Sequence, residues 1–174
     1  MKARFLLLPV ATLAIVSPVH ATVYMTVEQA QALLFPGANF TPIFLTLTDA
    51  QASDIEKTSD TNVLSRQIKV WRVSSGGWFI ADEVVGKHEF IPIAVGIDAS
   101  GAVKGVEILE YREVYGGEVM NPKWLAQFTG RKNGDALADG GGIKNISGAT
   151  LSSKHITDGV RRLLATYAIV LAGH

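Results

Sequence analysis

The segment Asn145-Ile146-Ser147-Gly148-Ala149-Thr150-Leu151-Ser152-Ser153 gathers small and hydroxyl-bearing residues more densely than any other stretch of this 174-residue chain. Gly140-Gly141-Gly142 stands just before it, and a long amphipathic pattern begins at Lys154. A phosphate group needs convergent donors and a backbone that can come close to it. Here Gly148 and Ala149 leave room, Ser147, Thr150, Ser152 and Ser153 offer hydroxyls, and Lys154 adds charge. The N-terminus of the helix that follows would add free N–H groups and the positive end of its dipole. The segment therefore reads as a phosphate cradle, and equally as an ordinary serine-capped helix after a glycine loop. It is not a Walker loop, because the Gly-Lys-Ser/Thr ending is missing, and no strand precedes it as a dinucleotide fingerprint requires.

The elements that must position this loop can be read from local patterns. Thr26-Val27-Glu28-Gln29 and Thr48-Asp49-Ala50-Gln51 are capping boxes, predicting short helices to Leu34 and to about Lys57. Strands are predicted over 40–47, 63–73, 78–85, 90–97 and 103–111, with Pro42 marking an edge and Pro92 marking an edge or a neighbouring bulge. Asp98-Ala99-Ser100-Gly101 is a hairpin turn. Asn121-Pro122 starts a short helix through Phe128. The last helix is expected to begin near Ser152 or Ser153, with Ile156, Val160, Leu163, Leu164, Tyr167 and Leu171 on one face and Arg161 and Arg162 on the opposite side. The expected fold is α+β: a twisted antiparallel sheet with short N-terminal helices and a long C-terminal helix.

Composition narrows the function. Cysteine is absent, which excludes disulfides, thiolate metal sites, iron–sulfur clusters and thioether-linked haem. Residues 22–121 carry 7 basic and 13 acidic groups, whereas 122–174 carry 7 basic and 3 acidic, so the small-residue loop lies in a net positive third. No dense basic stripe is present, so nucleic acid is not an expected partner, and a single small anion suits the local excess better. Lys2 and Arg4 precede an apolar run over 5–16, then Pro18 and Val19-His20-Ala21. This is the pattern of a secretory signal peptide, too short to span a bilayer. The expectation is an export signal over 1–21, an N-terminal helical and strand extension over 22–84, and a ligand-binding domain over 85–174. The alternative for 1–21 is a retained anchor, which would leave the protein associated with the membrane.

Ser147-Gly148-Ala149-Thr150-Leu151-Ser152-Ser153 resembles the flavinylation motif of FMN-binding domains. These occur in the C subunit of sodium-pumping NADH:quinone reductase, in the G subunit of the Rnf complex and in small exported flavoproteins. The family pattern is Asp-x-x-(Ser/Thr/Ala)-Gly-Ala-(Thr/Ser) ahead of a C-terminal helix, and its last residue forms a phosphoester with FMN. A separate exported flavin transferase makes that bond from FAD with a divalent metal. The resemblance implies Thr150 as the attachment residue, with Ser147, Gly148, Ala149, Leu151, Ser152 and Ser153 around the cofactor. It extends over roughly 85–168, where a hairpin leads to Glu113-Val114-Tyr115-Gly116 in place of the family's Glu-Thr-Pro-Gly, a segment that approaches the flavin ring. Glu113, Tyr115 and Gly116 are thus implied at the ring site. The sequence departs from the family at two positions: Lys144 stands where the family has Asp, reversing the charge six residues before Thr150, and Tyr115 replaces its Pro.

The aromatic faces of Trp124, Tyr111 and Tyr115 are candidates to stack on the ring, although helix-face core packing is the favoured reading of Trp124. The resemblance implies an exported, periplasmic carrier relaying electrons between a membrane-bound redox protein and another exported carrier. Two other readings remain: a module that binds FMN or another phosphorylated ligand reversibly, and a flavin-dependent reductase subunit.

Overall fold

The computed structural model describes residues 22–137 and 142–174. The expected signal over 1–21 lies outside the described residues, and so do Asp139, Gly140 and Gly141 before the small-residue loop.

In chain order the elements are β1 (Thr22–Val23), α1 (Val27–Leu34), β2 (Phe40–Thr46), α2 (Asp49–Ser59), β3 (Gln67–Val73), β4 (Trp78–Val85), β5 (Phe90–Ile97), β6 (Val103–Ile108), β7 (Glu110–Tyr111), α3 (Pro122–Leu125) and α4 (Thr150–Thr166). Both capping boxes form completely, each threonine side chain accepting the N3 N–H while the N3 glutamine reaches back to the cap. Asn121 caps α3 with Pro122 at its first position. The chain continues from α3 into a 3-10 turn over Ala126–Phe128.

Strands β2 to β6 form one antiparallel meander in sequence order, and β1 pairs separately with β7. The ladder between β4 and β5 runs without interruption from Trp78↔Ile97 to Val85↔Phe90. The chain on either side of residue 85 therefore shares one sheet. Alternation sends Ile80, Val84, Ile93, Val95 and Val106 to one face, in the main core with α2 and α4. Phe79 and Ala94 lie on the other face, under Leu34 and Phe35 at the end of α1.

Three strand expectations are corrected. Strand β3 begins at Gln67, because Asp60 ends α2 in the left-handed region (φ 48°) and Ser65 Oγ turns back to accept the Gln67 N–H. Pro92 lies in β5, which is inside the sheet, and the irregularity in β5 falls between Gly96 and Ile97. The proline is tolerated because it sits beyond the last β6 partner, Ile93↔Ile108. Leu109 donates to the Pro92 carbonyl at 2.9 Å, and Pro92 has no N–H to return. The Leu109 carbonyl accepts instead from Tyr24 N at 3.0 Å, and the strand expected over 103–111 breaks there into β6 and β7.

Helix α4 starts at Thr150, two residues earlier than the Ser152 expected, and ends in a π-turn over Tyr167–Leu171. Its apolar stripe is buried: Ile156, Val160, Leu163 and Leu164 are each at most 1% exposed. Each such side chain contributes about 2 kcal/mol of burial. The placement of Arg162 on the opposite side is overturned, because its side chain is buried. Asp82 occupies a core-facing position of β4 between Ile80 and Val84, and Arg162 Nη2 donates to its Oδ2 at 2.9 Å. The same guanidinium donates to the Glu83 carbonyl at 2.8 Å and the Asn62 carbonyl at 3.0 Å, so the charge is paired and hydrogen-bonded.

Candidate flavin site

The residues before Thr150 are fixed through the backbone of Lys144. Trp124 Nε1 donates to the Lys144 carbonyl at 2.7 Å, and the Lys144 N–H donates to Gln127 Oε1 at 2.9 Å. Ile143 is buried beside them, while the Lys144 side chain is exposed. Trp124 is itself buried and packs edge-on against Phe128, with ring centroids 5.3 Å apart. The structure places it as core that anchors the loop, and not as an open face for stacking.

The loop then makes one tight turn. Gly148 adopts φ 88° with open space where a Cβ would point, and the Ala149 N–H donates to the Ile146 carbonyl at 3.0 Å. The helix follows at once. Ala149 occupies the N-cap and has no side-chain acceptor to offer, so the first-turn N–H groups of α4 have no side-chain cap. Thr150 is the first helical residue and is exposed, its hydroxyl making only a long 3.5 Å contact with the Ile146 carbonyl.

The hydroxyls divide into two sets. Ser147 and Thr150 are exposed, and Ser152 and Ser153 are buried. Ser153 Oγ donates to the Thr150 carbonyl at 3.1 Å and contacts Asn145 Oδ1 at 3.4 Å. Ser152 Oγ lies 3.1 Å from Tyr111 Oη. The cradle of four hydroxyls expected from the sequence is therefore corrected to two exposed hydroxyls and two internal ones. Residues at the start of a helix alternate between solvent and core within a single turn, which a run of similar residue types does not reveal.

The segment 113–116 lies against this first turn. Gly116 has φ 90°, and a Cβ there would sit 3.2 Å from Ser152 Oγ and 3.4 Å from Ala149 Cβ, so a side chain would both strain the backbone and crowd the helix. Val114 and Tyr115 are 77% and 81% exposed, and Leu151 is 48% exposed on the first turn of α4. Leu151 follows the exposed Thr150 directly, and Val114 and Tyr115 belong to the segment whose Gly116 meets the same helical turn, so open apolar side chains are available near it to cover a planar group.

Glu113 faces the other way. Its Oε1 accepts the N–H groups of His88 at 2.6 Å and Glu89 at 3.1 Å, pinning the β4–β5 connection. Partial burial raises the Glu113 pKa, but these backbone donors outweigh it and hold the carboxyl below its ordinary range. Tyr111, expected as a candidate to stack on the ring, is buried, and its hydroxyl donates to the Tyr115 carbonyl at 2.7 Å. Nothing in the sequence around Tyr111 signals this arrangement, since its partners are a main-chain oxygen in a turn and a serine 41 residues away.

Residues 86–165 match the FMN-binding domain model. This segment is an FMN-binding domain, and its cofactor is FMN. The chain is also 31% identical over 87 residues to the G subunit of the ion-translocating oxidoreductase complex of Vibrio vulnificus (strain YJ016). The alignment covers 44% of this chain and 41% of the relative, so the chain spans about two fifths of that relative's length.

The site fits the cofactor the family carries. An exposed threonine hydroxyl, an uncapped helix N-terminus and the open Gly148 turn suit its phosphate, and the exposed apolar side chains beside them suit its ring. Bound FMN supplies one- and two-electron chemistry, and the protein supplies its position and surroundings.

Proposed function

We propose that this protein is an electron carrier bearing FMN as a phosphoester on Thr150. The observation that carries the reading is Thr150 itself: an exposed hydroxyl at the first position of an uncapped helix, directly after the Gly148 turn. The family match over 86–165 supports the flavin, and the likeness to a subunit of an ion-translocating oxidoreductase complex supports electron transfer.

The attachment needs a flavin transferase using FAD. The Thr150 Oγ1–phosphorus bond forms as the bond between the two phosphates of FAD breaks, AMP leaves, and the hydroxyl proton is released. A noncovalent flavin of micromolar affinity is held by about 8 kcal/mol, which a dilute compartment with little free FMN would steadily deplete. In this reading 85–174 carries the flavin and 22–84 extends the same sheet. Ser147 and the first turn of α4 lie at the phosphate, with Leu151 and Tyr115 nearer the ring. The partners are a membrane-bound redox protein and another exported carrier. Export rests on the basic-then-apolar pattern of 1–21. Among the described residues no helix is long and apolar enough to cross a membrane.

Lys144 in place of the family's Asp favours a second reading, in which FMN binds reversibly. Co-production with a flavin transferase, followed by in-gel flavin fluorescence after denaturation, separates the two. Wild type and Thr150→Ser should fluoresce and Thr150→Ala should not. Fluorescence retained in Thr150→Ala would remove Thr150 as the attachment residue, and none in wild type would favour reversible binding.

A further inference from the structure

We propose that Tyr111 is a positioning residue for the flavin site, its hydroxyl holding the Tyr115–Gly116 turn against the first turn of α4; this rests on the reading of Thr150 as the residue that bears FMN. The Tyr111 hydroxyl has one proton, and it is directed to the Tyr115 carbonyl at 2.7 Å. Ser152 Oγ, 3.1 Å away, is then the donor to Tyr111 Oη. A relay of two hydroxyls therefore links α4, two residues past Thr150, to the backbone of Tyr115.

Three further observations support a built arrangement. Tyr111 is 6% exposed and Ser152 is 5% exposed, so neither hydroxyl can readily exchange its partner for water. A Cβ on Gly116 would lie 2.7 Å from Tyr111 Oη, so the glycine allows the turn to close onto the hydroxyl. Tyr111 is also fixed from behind, paired with Thr22 in the β1–β7 ladder. Burial pushes the Tyr111 hydroxyl above its ordinary pKa, against the opposing hydrogen bond from Ser152, a direction consistent with a protonated donor.

The turn so held carries Tyr115, whose exposed ring stands where the family has proline. Loss of the relay should free Tyr115 to move relative to Thr150 and change the surroundings of the ring. The Tyr111→Phe variant keeps the buried ring and removes only the hydroxyl. Ser152→Ala removes the upstream half of the relay and leaves the bond to Tyr115.

The test compares both variants with wild type by amide hydrogen exchange over 113–117 without flavin, and by the flavin reduction potential after co-production with the transferase. Tyr111→Phe should exchange roughly tenfold faster in this segment, with Ser152→Ala intermediate, and the potential should shift in the same order. Unchanged exchange would overturn the relay. Faster exchange with an unchanged potential would reduce Tyr111 to a structural tie and overturn its role at the flavin. Wild type that carries no flavin would overturn the reading of Thr150 before any variant is compared, while the exchange measurement would still judge the relay. Should Tyr111→Phe fail to fold, Ser152→Ala decides by the same two readouts.

Discussion

At the scale of single residues, Lys144 and Glu113 have roles that separate main chain from side chain. Both hydrogen bonds that hold Lys144 are to its backbone, and its ammonium is exposed. Lys144→Asp should therefore reverse the charge without disturbing the loop. The expected result is a several-fold higher flavinylated fraction by mass spectrometry and an unaltered melting temperature; an unchanged fraction would show that this position does not limit attachment. Glu113 acts through its carboxylate on the N–H groups of His88 and Glu89. Its folded-state pKa is depressed, so its contribution is complete above the unfolded value of about 4.3 and is lost as pH falls through the lower folded value. Glu113→Gln should be less stable than wild type at neutral pH, and the gap should close on acidification below about pH 4. A gap independent of pH in thermal melts would contradict the clamp.

At the scale of elements, α3 and the 3-10 turn after it hold the loop that leads to α4. Trp124→Phe keeps an aromatic ring against Phe128 and removes the donor to the Lys144 carbonyl. It should lower stability by about 1 kcal/mol in chemical denaturation and reduce flavin loading; normal loading would show that the loop is held well enough by Gln127. The capping boxes, the Asn121-Pro122 start and the limits of β4 and β5 are legible in the sequence because each has a local signal: caps a few residues apart, and turns at both ends of a strand. The burial of Ser152 is not legible, because it depends on Tyr111 and Gly116 meeting the helix there.

At the scale of the whole molecule, α4 joins the site at its first turn to the sheet along the rest of its length. A Cβ on Gly159 would overlap Val84, so the helix lies close against β4. Three residues later Arg162 pairs with Asp82. Asp82→Ala would leave a buried guanidinium without its counter-charge and should cost about 3 kcal/mol, read as a lower denaturation midpoint; a loss under about 1 kcal/mol would show that the carbonyls of Asn62 and Glu83 suffice. The sequence does not reveal this pairing. The 3.6-residue period places Arg162 away from the apolar stripe, and only the packed sheet brings a carboxylate from 80 residues earlier beneath it.

Whether Thr150 bears FMN is tested most directly by intact-mass spectrometry. The protein would be co-produced with an exported flavin transferase, denatured, weighed and digested. The predicted result is a mass increase equal to FMN less one water, mapped to the peptide containing Thr150. An unmodified mass, or the same increase on a peptide without Thr150, would contradict it.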